Sequence, residues 1–178
     1  MTSKTKYKVI DNFLDEDTYN KFSAYLKSEK VPWFFRKVDV PMGNTKNKNG
    51  FFSFCFYNHH APDHDSFHEF MPPFIKQLKA RALIQIRANL TFRDIDAIES
   101  GFHNDYLYKK SITGIFYLTT CNAKTVLDLP GVNKSVQSVE NRMLLFPTNI
   151  KHNVLYHTDV HKRYVVNFNF FSEDMGKL

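Results

Sequence analysis

Cysteine is nearly absent: Cys55 and Cys121 are the two thiols in 178 residues. Neither belongs to a CxxC pair, so a disulfide framework and a thiolate metal centre are both excluded, and two reduced, largely buried thiols are expected. No apolar run approaches the roughly 20 residues that a membrane-spanning helix needs. The N-terminus lacks the charged-then-apolar pattern of an export leader, so a cytoplasmic setting is expected. No repeat, linker or low-complexity block divides the chain, and residues 1–178 are expected to form one domain with a real core. Acidic residues are the minority charge, 18 against 24 Lys and Arg, for a net charge of +6. A solvated surface accounts for that excess; an acidic partner, nucleic acid included, is the functional alternative.

Aromatic residues are plentiful, at 16% with 18 Phe, which excludes a disordered chain. They gather in short runs such as Trp33-Phe34-Phe35, Phe51-Phe52-Ser53-Phe54 and Phe168-Asn169-Phe170-Phe171, as in β-rich cores. Core packing is the expected use of Trp33, Phe34 and Phe35.

Residues 6–11 read as a short strand, and Asp15 caps a helix carrying Phe22, Tyr25 and Leu26 at helical spacing. Pro32 disfavours its continuation. Residues 33–40 read as a second strand, 41–50 as a polar loop, and 51–57 as a strand apolar on both faces. Four of the eight histidines lie in residues 58–68, where His64 and His68 stand at i and i+4. Pro62 interrupts that run and no general-base Glu lies between them, so loop packing is expected over metal binding. Residues 66–79 are expected to be helical, entered from Asp65 or Ser66, with Pro72-Pro73 either splitting the segment or setting its true start.

From residue 82 onward the pattern is seven or so short strands with turns every eight to twelve residues, one of them over 135–139 after a turn at Pro130-Gly131. That spacing is the mark of a sandwich, barrel or jelly roll. On the first of them Arg87, Asn89 and Thr91 share a face, opposite Ala88, Leu90 and Phe92; on the last Arg163, Val165, Asn167 and Asn169 oppose Tyr164, Val166, Phe168 and Phe170. The fold class read here is mainly β, with a jelly-roll core over residues 82–171 and N-terminal strands with two buttressing helices over residues 1–81.

The chemistry sits in Gly101-Phe102-His103-Asn104-Asp105, with His152 and Arg163 downstream. His103 and Asp105, two apart, project from one side of an extended segment. Two imidazoles and a carboxylate cap one face of an octahedral Fe(II) and leave three positions for ligands. Arg163, eleven positions after His152, supplies a planar, permanently charged fork for a carboxylate. His157 and His161 are alternatives for the third ligand, and Arg87 and Arg142 are alternative anion binders.

These elements resemble the Fe(II)/2-oxoglutarate-dependent oxygenases, in their prolyl-4-hydroxylase-like branch. The matching stretches are Phe102-His103-Asn104-Asp105, Thr113-Gly114-Ile115-Phe116-Tyr117-Leu118, Val139-Glu140-Asn141-Arg142-Met143-Leu144-Leu145-Phe146, His152, and Arg163 to Phe170. The chain is similar in particular to short stand-alone bacteriophage members, which share a Thr-Asp pair (here Thr158-Asp159) before the arginine; a phage-encoded protein would work in the host cytoplasm. The resemblance implies a double-stranded β-helix in which His103, Asp105 and His152 ligate Fe(II). It implies that Arg163 pairs with the distal carboxylate of 2-oxoglutarate, helped by Tyr117. Asn89, where many relatives carry a tyrosine, and Asn167 are nominated as further cofactor-binding residues. Lys124, where relatives have a Gly-rich turn, would reach toward the cavity or into solvent.

The activity implied is hydroxylation of a C–H bond with 2-oxoglutarate and O₂ as co-substrates and ascorbate as a possible reductant. A protein or peptide substrate with a peptidyl proline is the first expectation. A nucleic-acid base, a free small molecule, and a non-catalytic cupin-type binding module stay open beside it.

Overall fold

The computed structural model describes residues 7–37 and 50–173. The elements in order are β1 (Lys8–Ile10), α1 (Glu16–Leu26), β2 (Phe34–Arg36), β3 (Phe51–Asn58), β4 (Ala61–Pro62), α2 (Ser66–Phe70), α3 (Pro72–Leu78), β5 (Ala80–Phe92), β6 (Ile112–Tyr117), β7 (Lys124–Leu129), β8 (Val132–Gln137), β9 (Arg142–Pro147), β10 (His152–Leu155) and β11 (Lys162–Ser172). All pairings are antiparallel. The large sheet runs β1-β9-β6-β11-β5-β3-β2, with β4 on the side of β3, and the small sheet runs β10-β7-β8. This is a mainly β jelly roll, the fold class read from the sequence.

Strand alternation decides how the layers stack. One face of the large sheet presents Ile86, Ala88, Leu90, Phe116, Tyr164, Val166, Phe168 and Phe170 to the helices, where Phe22 and Phe74 complete a core rich in ring contacts. The other face turns Ile115, Tyr117 and Val165 toward Leu127 and Val136 of the small sheet. Burying the helix-side face stabilises the sheet by about 25 cal/mol per Å² of apolar area. It leaves the inter-sheet face free to carry polar groups.

Asp15 caps α1 as expected, its Oδ1 accepting from the Thr18 N–H at 2.9 Å. The helical segment 66–79 is split at Pro72, and Asp65 makes no side-chain cap bond. The His64 ring provides it instead, its Nδ1 accepting from the Ser66 N–H at 3.1 Å. A cap on α2 is therefore what His64 does.

Three details depart from the sequence reading. Strand β2 stops at Arg36, and residues 38–49, which include most of the 41–50 loop, lie outside the described residues. Phe34 and Phe35 are about 60% exposed, while Trp33 alone of that run packs inward, against Phe54 and Tyr164. An edge strand three residues long gives the two phenylalanines no layer to enter. Strand β8 begins at Val132 rather than near residue 135, because the tight turn at Pro130-Gly131 leaves Leu129 paired directly with Val132. Among the described residues no helix is long and apolar enough to cross a membrane.

Candidate metal centre and anion pocket

Residues 98–103 run antiparallel beside β10 without forming a full strand. Isolated bridges join Glu99 to Leu155 and His103 to His152. Gly101 sits at φ 82°, in the left-handed region that favours glycine, and its carbonyl faces the His103 ring. That carbonyl can only accept, so His103 Nδ1 at 3.1 Å donates to it, and Nε2 is the ring nitrogen left to face Asp105. Each of His103 Nε2 and His152 Nε2 lies 3.8 Å from Asp105 Oδ1. Donor atoms of the three residues all fall within 4.8 Å of one another, the one such group among the described residues. His157 and His161 are not part of it.

His152 is buried against Phe146, ring centroids 5.1 Å apart. Burial pushes its pKa down to about 4, against the pull of Asp105, so the imidazole is neutral and its lone pair available near pH 7. Its Nδ1 has no hydrogen-bond partner among the described residues. Asp105 is oriented from the large sheet: Asn169 Nδ2 donates to its Oδ2 at 3.4 Å, and Asn169 Oδ1 accepts from Thr113 Oγ1 at 3.1 Å. Asn104 donates to the Thr148 carbonyl at 2.8 Å, which pins the residue between the two ligands. Asn104, Thr113 and Asn169 fall inside stretches that carry the resemblance, but no motif shows which side chains they meet, and Thr148 lies outside those stretches. Asn169 meets Thr113 through the pairing of β6 and β11, and Asn104 meets Thr148 only once the chain has folded.

A cavity of about 270 Å³ lies between the two sheets beside this group. Arg87, Asn89, Thr91, Arg163, Val165 and Asn167 line it from β5 and β11, and Thr125, His152 and Val154 from the small sheet. Arg163 is 3% exposed; its Nε donates to Ser138 Oγ at 3.3 Å and its guanidinium stands 5.7 Å from the Tyr117 ring centroid. Among the described residues no carboxylate forms an ion pair with it. Burial lowers its pKa, as it must for a cation removed from water without a counter-charge.

Asn89 and Asn167 line the cavity as nominated, and the Asn89 Oδ1 is buried without a partner among the described residues. Tyr117 lies beneath the lining, fully buried. Burial pushes its pKa up to about 12, so the phenol stays protonated and donates to Thr125 Oγ1 at 2.8 Å. Lys124 does not line the cavity; the neighbouring Thr125 does. Thr158-Asp159 closes a loop, Asp159 Oδ2 accepting from the Asn122 N–H and Thr158 Oγ1 from Asn122 Nδ2. Arg142 pairs with Asp11 near the surface, away from the pocket.

No protein-family model and no curated protein matches this chain in sequence. The shape does match solved structures. A Pseudomonas putida prolyl-4-hydroxylase superposes with a TM-score of 0.67 at 13% identity, covering 94% of this chain and 93% of the other. An oxidoreductase of the 2OG-Fe(II) oxygenase family from Burkholderia pseudomallei gives 0.68 at 11% identity, over 93% and 85%. A Trichoplax adhaerens prolyl hydroxylase, solved with a hypoxia inducible factor peptide fragment, gives 0.64 at 14%, over 96% and 85%. The fold is the oxygenase jelly roll. Within that fold, the mouth between the sheets is where this chain puts its His-Asp-His group and its buried arginine.

Proposed function

We propose that the chain is an Fe(II)- and 2-oxoglutarate-dependent dioxygenase that hydroxylates a C–H bond of a peptidyl proline in the cytoplasm. One observation carries the reading: a single small cavity has a His-Asp-His group on its wall and a buried arginine without a carboxylate partner among the described residues. A buried cation left unpaired costs several kcal/mol, so Arg163 needs an anion.

The donor set fits the metal. Two imidazoles and one carboxylate suit Fe(II), and the group opens on a cavity from which further ligands can enter. His103, Asp105 and His152 would hold the ion, and Arg163 would take the far carboxylate of 2-oxoglutarate. Asn89 and Asn167 would orient the co-substrate from the large sheet, and Tyr117 would act through Thr125. Iron, 2-oxoglutarate and O₂ together supply the C–H oxidation, in which 2-oxoglutarate ends as succinate and CO₂. The chain's own work is to hold both co-substrates and keep the site dry. A prolyl substrate is supported by the two prolyl hydroxylases among the matching structures, one of them holding a peptide.

Under nitrogen, Fe(II) and 2-oxoglutarate are expected to give a visible charge-transfer band; with O₂ and a proline-containing peptide, succinate should form and the peptide gain one oxygen. His152→Ala should abolish both signals. Turnover that persists in this variant would overturn the ligand assignment.

A further inference from the structure

The cavity contains a second arginine. Arg87 lines it from β5, its guanidinium 6.0 Å from the Phe51 ring centroid, and its Nε is buried without a hydrogen-bond partner among the described residues. Nor does any carboxylate among them pair with Arg87.

Strand register separates it from the first. Arg163 lies opposite Thr91, Val165 opposite Asn89, and Asn167 opposite Arg87. At about 3.3 Å per residue, four residues set the two arginine positions about 13 Å apart along the sheet. Asn167 is also two residues from Asn169, which contacts Asp105. Arg87 therefore stands on the metal-ligand side of the cavity, and Arg163 toward the far end.

Charge bookkeeping follows the same line. The charged residues of the lining are Arg87, Asp105 and Arg163, one positive charge in all. A divalent metal adds two, a 2-oxoglutarate dianion removes two, and one positive charge is left over.

We infer that Arg87 binds a carboxylate of the primary substrate beside the metal. The inference rests on the dioxygenase reading above and names what that site accepts. A guanidinium backed by an aromatic ring grips a carboxylate bidentately, and the net charge of +6 favours the approach of an acidic molecule. The volume argues for a compact acid over a nucleotide. About 270 Å³ lies just below the usual range for small-ligand pockets, about 300–1,000 Å³, and 2-oxoglutarate takes part of it. An acidic side chain or a short acid is enough to fill what remains.

The test uses the full chain under nitrogen, loaded with Fe(II) and saturating 2-oxoglutarate. N-acetyl-L-proline is titrated against N-acetyl-L-prolinamide, and thymidine 5′-monophosphate against thymidine, by calorimetry. Wild type should bind the acylproline at least tenfold more tightly than its amide, and Arg87→Gln should bring that ratio to about one. Equal affinities in wild type, or a preference that survives in Arg87→Gln, would overturn the inference. So would a larger preference for the nucleotide over its nucleoside, or a loss of 2-oxoglutarate affinity in Arg87→Gln as great as in Arg163→Gln. The absorption band of the loaded protein separates the two readings. Its absence in wild type fails the dioxygenase reading, whereas an intact band without carboxylate preference fails this inference alone.

Discussion

His103 and His152 are joined by a reciprocal pair of backbone hydrogen bonds, each N–H donating to the other's carbonyl at 2.9 Å. Their rings stand 4.5 Å apart, centroid to centroid. Residues far apart in sequence thus meet through main chain before either side chain is considered, and the spacing of the two imidazoles is a property of the sheet.

Arg163 is the first place to test the pocket. Arg163→Met and Arg163→Lys should each weaken 2-oxoglutarate binding by about 2–5 kcal/mol, roughly 30-fold or more, since lysine cannot reproduce the planar fork. In the ligand-free protein, Arg163→Met should melt at or above the wild-type temperature, because it removes a buried charge lacking a carboxylate partner. Calorimetry of each form checks both halves. A ligand-free Arg163→Met protein that melts well below wild type would mean that Ser138 and Tyr117 already satisfy the cation.

Asn169 should matter to the metal without touching it. Its amide bridges Asp105 Oδ2 and Thr113 Oγ1, so Asn169→Leu removes the group that aims the carboxylate. Partners of this kind are typically worth about 10- to 100-fold in metal affinity. Fe(II) titration should show that loss, with destabilisation of about 1–3 kcal/mol for the unmet hydrogen bonds. Unchanged metal affinity would show that Asp105 is held by its backbone alone.

Acid should weaken the metal-free protein through its buried histidines. Burial holds His152 down to about 4, and burial followed by Arg163 holds His157 below its ordinary value. A depressed folded-state pKa means that the unfolded chain takes up protons first as the pH falls. Stability is therefore complete above about pH 6.5 and declines toward pH 4, with His152 alone accounting for something on the order of 3 kcal/mol. Urea unfolding at pH 7.5 and 5.0 measures the decline, and His157→Gln should reduce the slope.

Asn141 ties the N-terminal segment to the β8–β9 turn. Its Oδ1 accepts from the Leu14 N–H at 2.9 Å, its Nδ2 donates to the Leu14 carbonyl at 2.8 Å, and its φ is 55°. Asn141→Ala loses both bonds and keeps the strained backbone, which should cost about 2–4 kcal/mol in thermal or urea unfolding. Asn141→Gly should recover about 1 kcal/mol of that by relieving φ.

Much of this was legible in the residues. The inward parity of Arg163, Asn167, Arg87 and Asn89 follows from alternation, because a two-residue period assigns a face as soon as one neighbour is known to be core. The His-X-Asp pair and the distal His were legible as chemistry. Alternation is silent about which strands become neighbours, so Asn169 reaching Asp105, and Ser138 meeting Arg163, could not be read. The cap from His64 was hidden for a different reason: an imidazole in that role has no sequence signature. The exposed Phe34 and Phe35 show the converse failure, where composition suggested core and a three-residue edge strand provided none.

The cavity draws its walls from both layers of the jelly roll. Arg163 belongs to the large sheet, while His152 stands on the small one and His103 is bridged to it. A molecule held at one end by the arginine and at the other by a metal on the histidines would span the gap between layers as a strut. Occupancy of the pocket and rigidity of the sandwich would then become one quantity.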